Sequence, residues 1–374
     1  MKILILSCST GGGHNSAARA VREVLMQKGV ETDFIDPIQL KNEKIKNTVS
    51  ELYNNIIKIS PKFFGAIYKI GDAYNSTRLP SPVYYANASY AKALNEYITK
   101  NNFDGVLCSH LYAMEAMTAV REKFKNTIPC YGIITDYTFI PFTSDTKLDG
   151  YFIPHAELKN EALKKGMPEN GIFPYGIPVS PKFCEAISKT EAREKLSLPQ
   201  EKKIVLLMFG SVGCGKVTKL CKRILKDLTD DCHVFLITGT NEKLKNKLKK
   251  NYAKSERLTC IGYTENVHLY MKAADVLISK AGGLSSTEAA ATNVPLVHLK
   301  SLPGCETKNA EFFLAHGMSK PTKKVKEAVA FAKELLYDEK EAERMRGAQK
   351  TVINAHAAQD IGEKLIDILS NANR

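Results

Sequence analysis

A chain of 374 residues is long enough for two domains that each bury a core. Its 44% hydrophobic and 25% charged residues give the balance of a globular protein and exclude the fibrous and disordered classes. A formal net charge of +13 favours an anionic substrate or an acidic membrane surface, and with no nucleic-acid motif present no nucleic-acid partner is expected.

Ile3 to Ser7 is an apolar run ending at Gly11-Gly12-Gly13, and it predicts a buried first strand. Met1 to Ser9 is too short for a signal peptide. Asn15 to Gln27 has helical spacing, and Glu31 to Ile35 predicts a second strand ending at Asp36-Pro37. Between Lys41 and Tyr97 the pattern changes to lysine-flanked apolar and aromatic clusters. Phe63, Phe64 and Tyr68 lie in one of them, and basic amphipathic helices of this kind suit either a membrane interface or ordinary packing. Strands resume at Gly105 to Ser109, Cys130 to Thr135 and Gly150 to Ile153. Ile172 to Pro181, rich in Gly and Pro, predicts a linker.

A second series of strands begins at Lys203 to Phe209. It continues at His233 to Thr238, Leu258 to Ile261, Val276 to Ser279 and Leu296 to Leu299, with helices from Lys324 onward. Strands alternating with helices imply parallel sheets. Two α/β halves meeting near Pro178 predict two Rossmann-like domains, residues 1–177 and 178–349, facing across a cleft. No segment reaches the roughly 20 apolar residues that a membrane-spanning helix needs. The nine cysteines lack C-x-x-C spacing, which points to a reduced, cytoplasmic protein without a zinc site.

Several loops at strand ends carry residues suited to chemistry. Gly13 and His14 open the first helix, where amides favour anionic oxygen and a histidine can act as a general base. A dinucleotide fingerprint with Asp36 is a poor match, since Ser16 stands where it needs Gly. Gly210-Ser211-Val212-Gly213-Cys214-Gly215-Lys216-Val217 nearly fits a P-loop, but Val217 replaces the metal-binding hydroxyl. A loop touching phosphate or sugar through Gly210, Ser211, Gly213 and Gly215 remains open beside a plain turn.

The run from Ser279 to Ala289 is the strongest signal. Gly282 and Gly283 follow a strand, Leu284, Ser285 and Ser286 open a helix able to hold a diphosphate, and Glu288 can take a ribose diol. A capping box of Ser285 and Glu288 is the competing reading. Glu306 and Asn309 follow the next strand and can read sugar hydroxyls, and Tyr263 is placed with this donor group. Asp136, with Thr135, and His110 end other strands, as catalytic and acceptor-side candidates respectively.

These residues together resemble the monogalactosyldiacylglycerol synthase and processive diacylglycerol glucosyltransferase family. That family is related to the transferase that adds N-acetylglucosamine to the lipid-linked peptidoglycan precursor. The resemblance rests on Gly11 to His14 with Ala17-Ala18, Thr135-Asp136, Gly176 to Val179, and Gly282 through Asn309. It implies a GT-B fold with an N-terminal acceptor domain, a C-terminal UDP-sugar domain, and a C-terminal helix near 350–374 packing back on the first. It further implies inverting, metal-independent transfer of a hexose from a UDP-sugar to a lipid acceptor, with no cofactor. His14 would be the base or lie beside it, and the protein would work at the inner face of the cell membrane. Cys305 stands where many members have Gln, and Tyr137 to Phe142 replaces a stretch that often holds His and Trp.

The residues leave other activities open. A nonhydrolysing UDP-sugar epimerase, a transferase with another acceptor, and a non-catalytic UDP-sugar sensor would use similar domains.

Overall fold

The structure, a computed structural model, describes residues 1–8, 12–40, 80–210, 217–253, 255–299 and 304–372. Contacts divide the chain into two units. Unit 1 holds Met1–Pro181, Pro303–Cys305 and His356–Arg374; unit 2 holds Lys182–Leu302 and Glu306–Ala355.

The elements run as β1 (Lys2–Leu6), α1 (Gly12–Gln27), β2 (Glu31–Ile35), α2 (Pro82–Ala88), α3 (Ala91–Asn101), β3 (Gly105–Cys108), α4 (Leu111–Phe124), β4 (Cys130–Ile133), β5 (Gly150–Phe152), α5 (Lys159–Lys164) and β6 (Ile172–Phe173). After them come α6 (Lys189–Lys195), β7 (Lys203–Met208), α7 (Val217–Asp227), β8 (Cys232–Ile237), α8 (Glu242–Asn251), β9 (Leu258–Ile261) and α9 (Val267–Ala273). The chain ends with β10 (Val276–Ser279), α10 (Gly283–Ala291), β11 (Leu296–Leu299), α11 (Cys305–Ala315), β12 (Lys320–Thr322), α12 (Val325–Tyr337), α13 (Glu339–Val352) and α14 (Ala357–Ala372).

Unit 1 is built on a parallel sheet in the order β2-β1-β3-β4-β5-β6. Both faces are covered, as parallel sheets require. Alternation along β1 sorts its side chains: Ile3 and Ile5 pack with Ala18, Val21 and Leu25 of α1 and with Ile361, Leu365 and Leu369 of α14. Leu4 and Leu6 point the other way, into a cluster with Leu94, Ala113 and Met117. A Cβ at Gly105 would lie 2.7 Å from the Leu369 methyls, so the missing side chain is what lets α14 sit on the sheet. Ile172–Phe173, expected within a linker, instead forms the edge strand β6 beside β5. Tyr84 and Tyr90 are core residues: the Tyr84 hydroxyl donates to Glu122 at 2.6 Å and the Tyr90 hydroxyl to Asn87 at 2.7 Å.

Unit 2 repeats the plan with the parallel order β12-β11-β10-β7-β8-β9. Arg193 of α6 is buried and donates to Asp275 at 2.8 Å, while the same carboxylate accepts the Ile204 amide at 2.6 Å. One side chain thereby ties α6 to the starts of β7 and β10. The edge strand β12 carries Pro321 and is half-buried, and its alternation is too short to mark it in the sequence.

Each sheet has one place where the strand order reverses. In unit 1 it lies between β1 and β3, and in unit 2 between β7 and β10. Ligands of open α/β sheets bind at the carboxyl ends of the strands flanking such a point.

Candidate functional site

In unit 1 the reversal point brings together the loops after β1, β3 and β4. His14 sits in the first turn of α1, half-buried, with Gly13 beside it. Its Nδ1 lies 3.0 Å from the Ser109 carbonyl oxygen and 2.7 Å from the Thr135 hydroxyl. A carbonyl only accepts, so Nδ1 carries the proton and the Nε2 lone pair is left for another partner. Burial holds the imidazole below its ordinary pKa, while the nearby Asp136 carboxylate and the bond to Ser109 push it back up. His14, Thr135 and Asp136 line a small recess whose other walls include Leu111, Met114 and Ile140. The arrangement is that of a general base with its tautomer set by the backbone and an acid beside it to stabilise the imidazolium.

His110, expected on the acceptor side, is buried. Its Nδ1 accepts the Tyr112 amide at 3.1 Å and so caps α4, and its ring meets that of His14 edge-on at 4.6 Å. Burial, with His14 next to it, keeps it neutral far below its usual range. It therefore caps α4 and packs against the His14 ring. Asp36 is buried and accepts the Ile38 amide at 3.1 Å.

In unit 2 the reversal point joins Gly210 at the end of β7 to the loop between β10 and α10. Gly210 has φ +67°, a left-handed conformation that disfavours other residues. The helix α10 begins at Gly283 with Gly282 as its cap, and no side chain caps it. The capping box of Ser285 and Glu288 is therefore absent: Ser285 lies inside the first turn and donates to the Gly282 carbonyl at 3.3 Å. The first amides of α10, from Gly283 to Ser285, have no intrahelical acceptor, which is the condition for holding an anionic oxygen.

Glu288 is half-buried, its carboxyl makes no hydrogen bond or ion pair with the described residues, and burial pushes that carboxyl up to about 8. A carboxyl left in that state is set for a ligand that donates to it. Lys280 reaches Glu306 at 2.8 Å, at the first turn of α11. Tyr263 is exposed after β9.

Two donor-side expectations are corrected. The Ser286 hydroxyl is fully buried, 3.0 Å from His298 Nε2, and Ser319 holds the other ring nitrogen at 3.0 Å. Asn309 is likewise fully buried and donates to the Ala281 carbonyl at 3.0 Å. Both shape the loop around α10 from beneath, and Leu284 is buried with them. Ser211, Gly213, Gly215, Phe63, Phe64 and Tyr68 lie outside the described residues. Lys280 was not singled out from the sequence, although its place inside the glycine turn was a signal for it.

With this geometry in view, two family descriptions match the chain. Monogalactosyldiacylglycerol (MGDG) synthase matches residues 14–179, and the glycosyltransferase family 28 C-terminal domain matches residues 204–319. The chain is 26% identical to a processive diacylglycerol beta-glucosyltransferase of Bacillus pumilus, over 99% of this chain and 96% of that one. It is 27% identical to the Bacillus subtilis protein of the same name, over 99% and 95%. Among solved structures it resembles Acinetobacter baumannii MurG, with TM-score 0.62, 16% identity, and 97% and 98% of the two chains covered. It also resembles the S. aureus MnaA–UDP structure, with TM-score 0.64, 16% identity, and 99% and 97% covered. The fold is GT-B.

Proposed function

The chain belongs to the monogalactosyldiacylglycerol synthase and diacylglycerol glucosyltransferase family of GT-B glycosyltransferases; on that premise we propose that it moves a hexose from a UDP-sugar to diacylglycerol. The transfer inverts the anomeric carbon, needs no metal or cofactor, and takes place at the inner surface of the cell membrane. The observation that carries the donor reading is the uncapped start of α10 with Glu288 one turn further along, its carboxyl pushed up to about 8.

In this reading the α10 amides take the diphosphate and Glu288 the ribose diol. Positive charge from the helix end and Lys280 supports departing UDP, the role a divalent ion has in metal-dependent transferases. In unit 1, His14 Nε2 takes the proton of the acceptor hydroxyl as its oxygen attacks the anomeric carbon. The bond from that carbon to the UDP oxygen breaks, and its electron pair leaves with UDP. Asp136 offsets the charge gained by His14. No helix among the described residues is long and apolar enough to cross a membrane. The +13 charge supports attraction to anionic lipid.

The test offers UDP-glucose, UDP-galactose and UDP-N-acetylglucosamine with diacylglycerol vesicles and identifies products by mass. A hexosyl-diacylglycerol with one donor is the expected result. A new UDP-sugar formed from donor alone, without lipid, would instead identify an epimerase and overturn the proposal.

A further inference from the structure

Two helices of unit 2 carry charge that nothing beside them balances. On α7, Lys219, Lys222 and Lys226 are exposed along one stripe, while Val217, Leu220, Cys221 and Ile224 are buried on the other. On α8, Lys243, Lys247 and Lys250 are exposed opposite the buried Leu248. Spacings of three and four residues put each set of lysines on one side of its helix. The two helices connect β7 to β8 and β8 to β9, which are neighbours in a parallel sheet. Right-handed crossovers place both helices on the same face of that sheet. The Tyr252 hydroxyl, at the end of α8, donates to the Thr218 carbonyl of α7 at 3.5 Å, so the helices lie side by side. The lysine stripes therefore form one surface directed away from the sheet.

Charge pairing sets this surface apart. The one acid of α7, Asp227, is held by Arg223, and the one acid of α8, Glu242, by Lys245 at 3.1 Å. The six exposed lysines have no ion pair among the described residues. On α13 of the same unit, by contrast, Arg344 and Arg346 are matched by Glu341 and Glu343. With four basic residues against one acid on α7 and five against one on α8, these helices hold more than half of the chain's +13. Lysines four apart, as in Lys222–Lys226 and Lys243–Lys247, repel each other, and an anionic partner relieves that repulsion. Their ammoniums are hydrated point charges without the planar fork of arginine. No aromatic side chain stands on either helix to stack on bases. We infer that the lysine face of α7 and α8 docks unit 2 on an anionic lipid surface. This rests on the membrane-surface reading above and gives the attraction a place on the fold.

Co-sedimentation of the full chain with vesicles tests the face. Wild type should partition onto vesicles of equal parts phosphatidylcholine and phosphatidylglycerol, not onto phosphatidylcholine alone, and should come off at high salt. The triple variant Lys243→Gln, Lys247→Gln, Lys250→Gln should partition about 10- to 100-fold more weakly, since each lysine near an acidic bilayer contributes about fivefold. The matching α7 variant, Lys219→Gln, Lys222→Gln, Lys226→Gln, should behave alike. A control that takes the same charge from α12 and α13, Lys333→Gln, Lys340→Gln, Lys350→Gln, should stay within about twofold of wild type. All three should melt as wild type does and keep hexosyl transfer to short-chain diacylglycerol in neutral detergent micelles. An equal loss in the control would make net charge the cause and overturn the face. So would undiminished vesicle binding in the α7 and α8 variants; if these had lost binding to an RNA oligomer instead, the face would belong to nucleic acid. Wild type that makes hexosyl-diacylglycerol in micelles but ignores anionic vesicles would sink the face and leave the transferase standing. Vesicle binding as expected with no product from any donor would sink the transferase reading and leave the face.

Discussion

His14 Nδ1 lies 3.0 Å from the carbonyl oxygen of Ser109, at the end of the neighbouring strand in the sheet. That contact puts the proton on Nδ1 and presents the Nε2 lone pair for the base role proposed above. His14→Ala should lower turnover by about 10²- to 10⁴-fold, the span of general-base catalysis, with UDP affinity nearly unchanged. Thr135→Val removes the 2.7 Å bond to the same nitrogen and keeps the shape of the side chain. It should reduce kcat by a smaller factor with KM held, and Thr135→Ser should restore it. Wild-type turnover in His14→Ala would end the base assignment.

The pH profile carries the signature of the same group. The base works deprotonated, so the rate falls below its pKa. Burial holds that pKa below the ordinary histidine value, with Asp136 and Ser109 opposing. The plateau should therefore extend to more acidic pH than a free imidazole near 6.5 would allow. Asp136→Asn takes away an upward influence, so the acid limb should move lower still while the plateau rate drops. Movement of the limb to higher pH in Asp136→Asn would contradict the placement of that carboxylate beside His14.

How much of this was legible depended on what kind of information each feature needs. β10 and β11 matched their apolar runs because central strands are local features, and β2 and β9, though at sheet edges, were bounded by Asp36-Pro37 and Gly262. The edge strands β6 and β12 escaped because two or three residues beside Gly and Pro are too few to carry an alternation. The loops of the site were marked by Gly13, Gly210 and Gly282, since close backbone approach needs a particular residue type. Which polar groups face a ligand was not so marked. Starting α10 at Gly283 rather than at a Ser285 cap turns Ser286 and Thr287 inward, where Thr287 donates to the Gly283 carbonyl at 2.8 Å. A shift of two residues on a helix exchanges its inner and outer faces. The Ser109 carbonyl joins His14 across 95 residues of chain through a backbone atom that every residue possesses. No residue type announces it.

Glu288 sets binding against stability. In the folded protein its carboxyl titrates at about 8, above its ordinary value of 4.5, because of burial. The folded state therefore holds a proton that the unfolded chain has lost, and stability falls as pH rises from 4.5 through 8. Glu288→Gln removes that loss. The variant should melt higher than wild type at pH 8, with the advantage shrinking toward pH 5. Its affinity for UDP should drop about tenfold, since Gln offers the ribose diol one acceptor oxygen where a carboxylate offers two. Equal UDP affinity in calorimetry would refute the ribose role, and a melting difference that ignores pH would refute the burial of the carboxyl.

His298 makes the opposite titration. It is fully buried between Ser286 and Ser319, each 3.0 Å from one ring nitrogen. One nitrogen accepts and the other donates only while the ring is neutral. Burial drives its pKa down to about 3. An unfolded chain titrates near 6.5, so between those values the unfolded state binds more protons and stability rises with pH. The contribution is present above 6.5 and is lost on acidification at about 1.4 kcal/mol per pH unit. Going from pH 6.5 to 5 should then cost about 2 kcal/mol through this one ring. His298→Asn carries some constant penalty from the altered hydrogen bonds, but it cannot titrate. Urea unfolding at pH 7 and pH 5 should show the gap between wild type and variant closing by about 2 kcal/mol. Parallel losses in the two proteins would mean that His298 is protonated in the fold, and that the two serines beneath α10 are held in some other way.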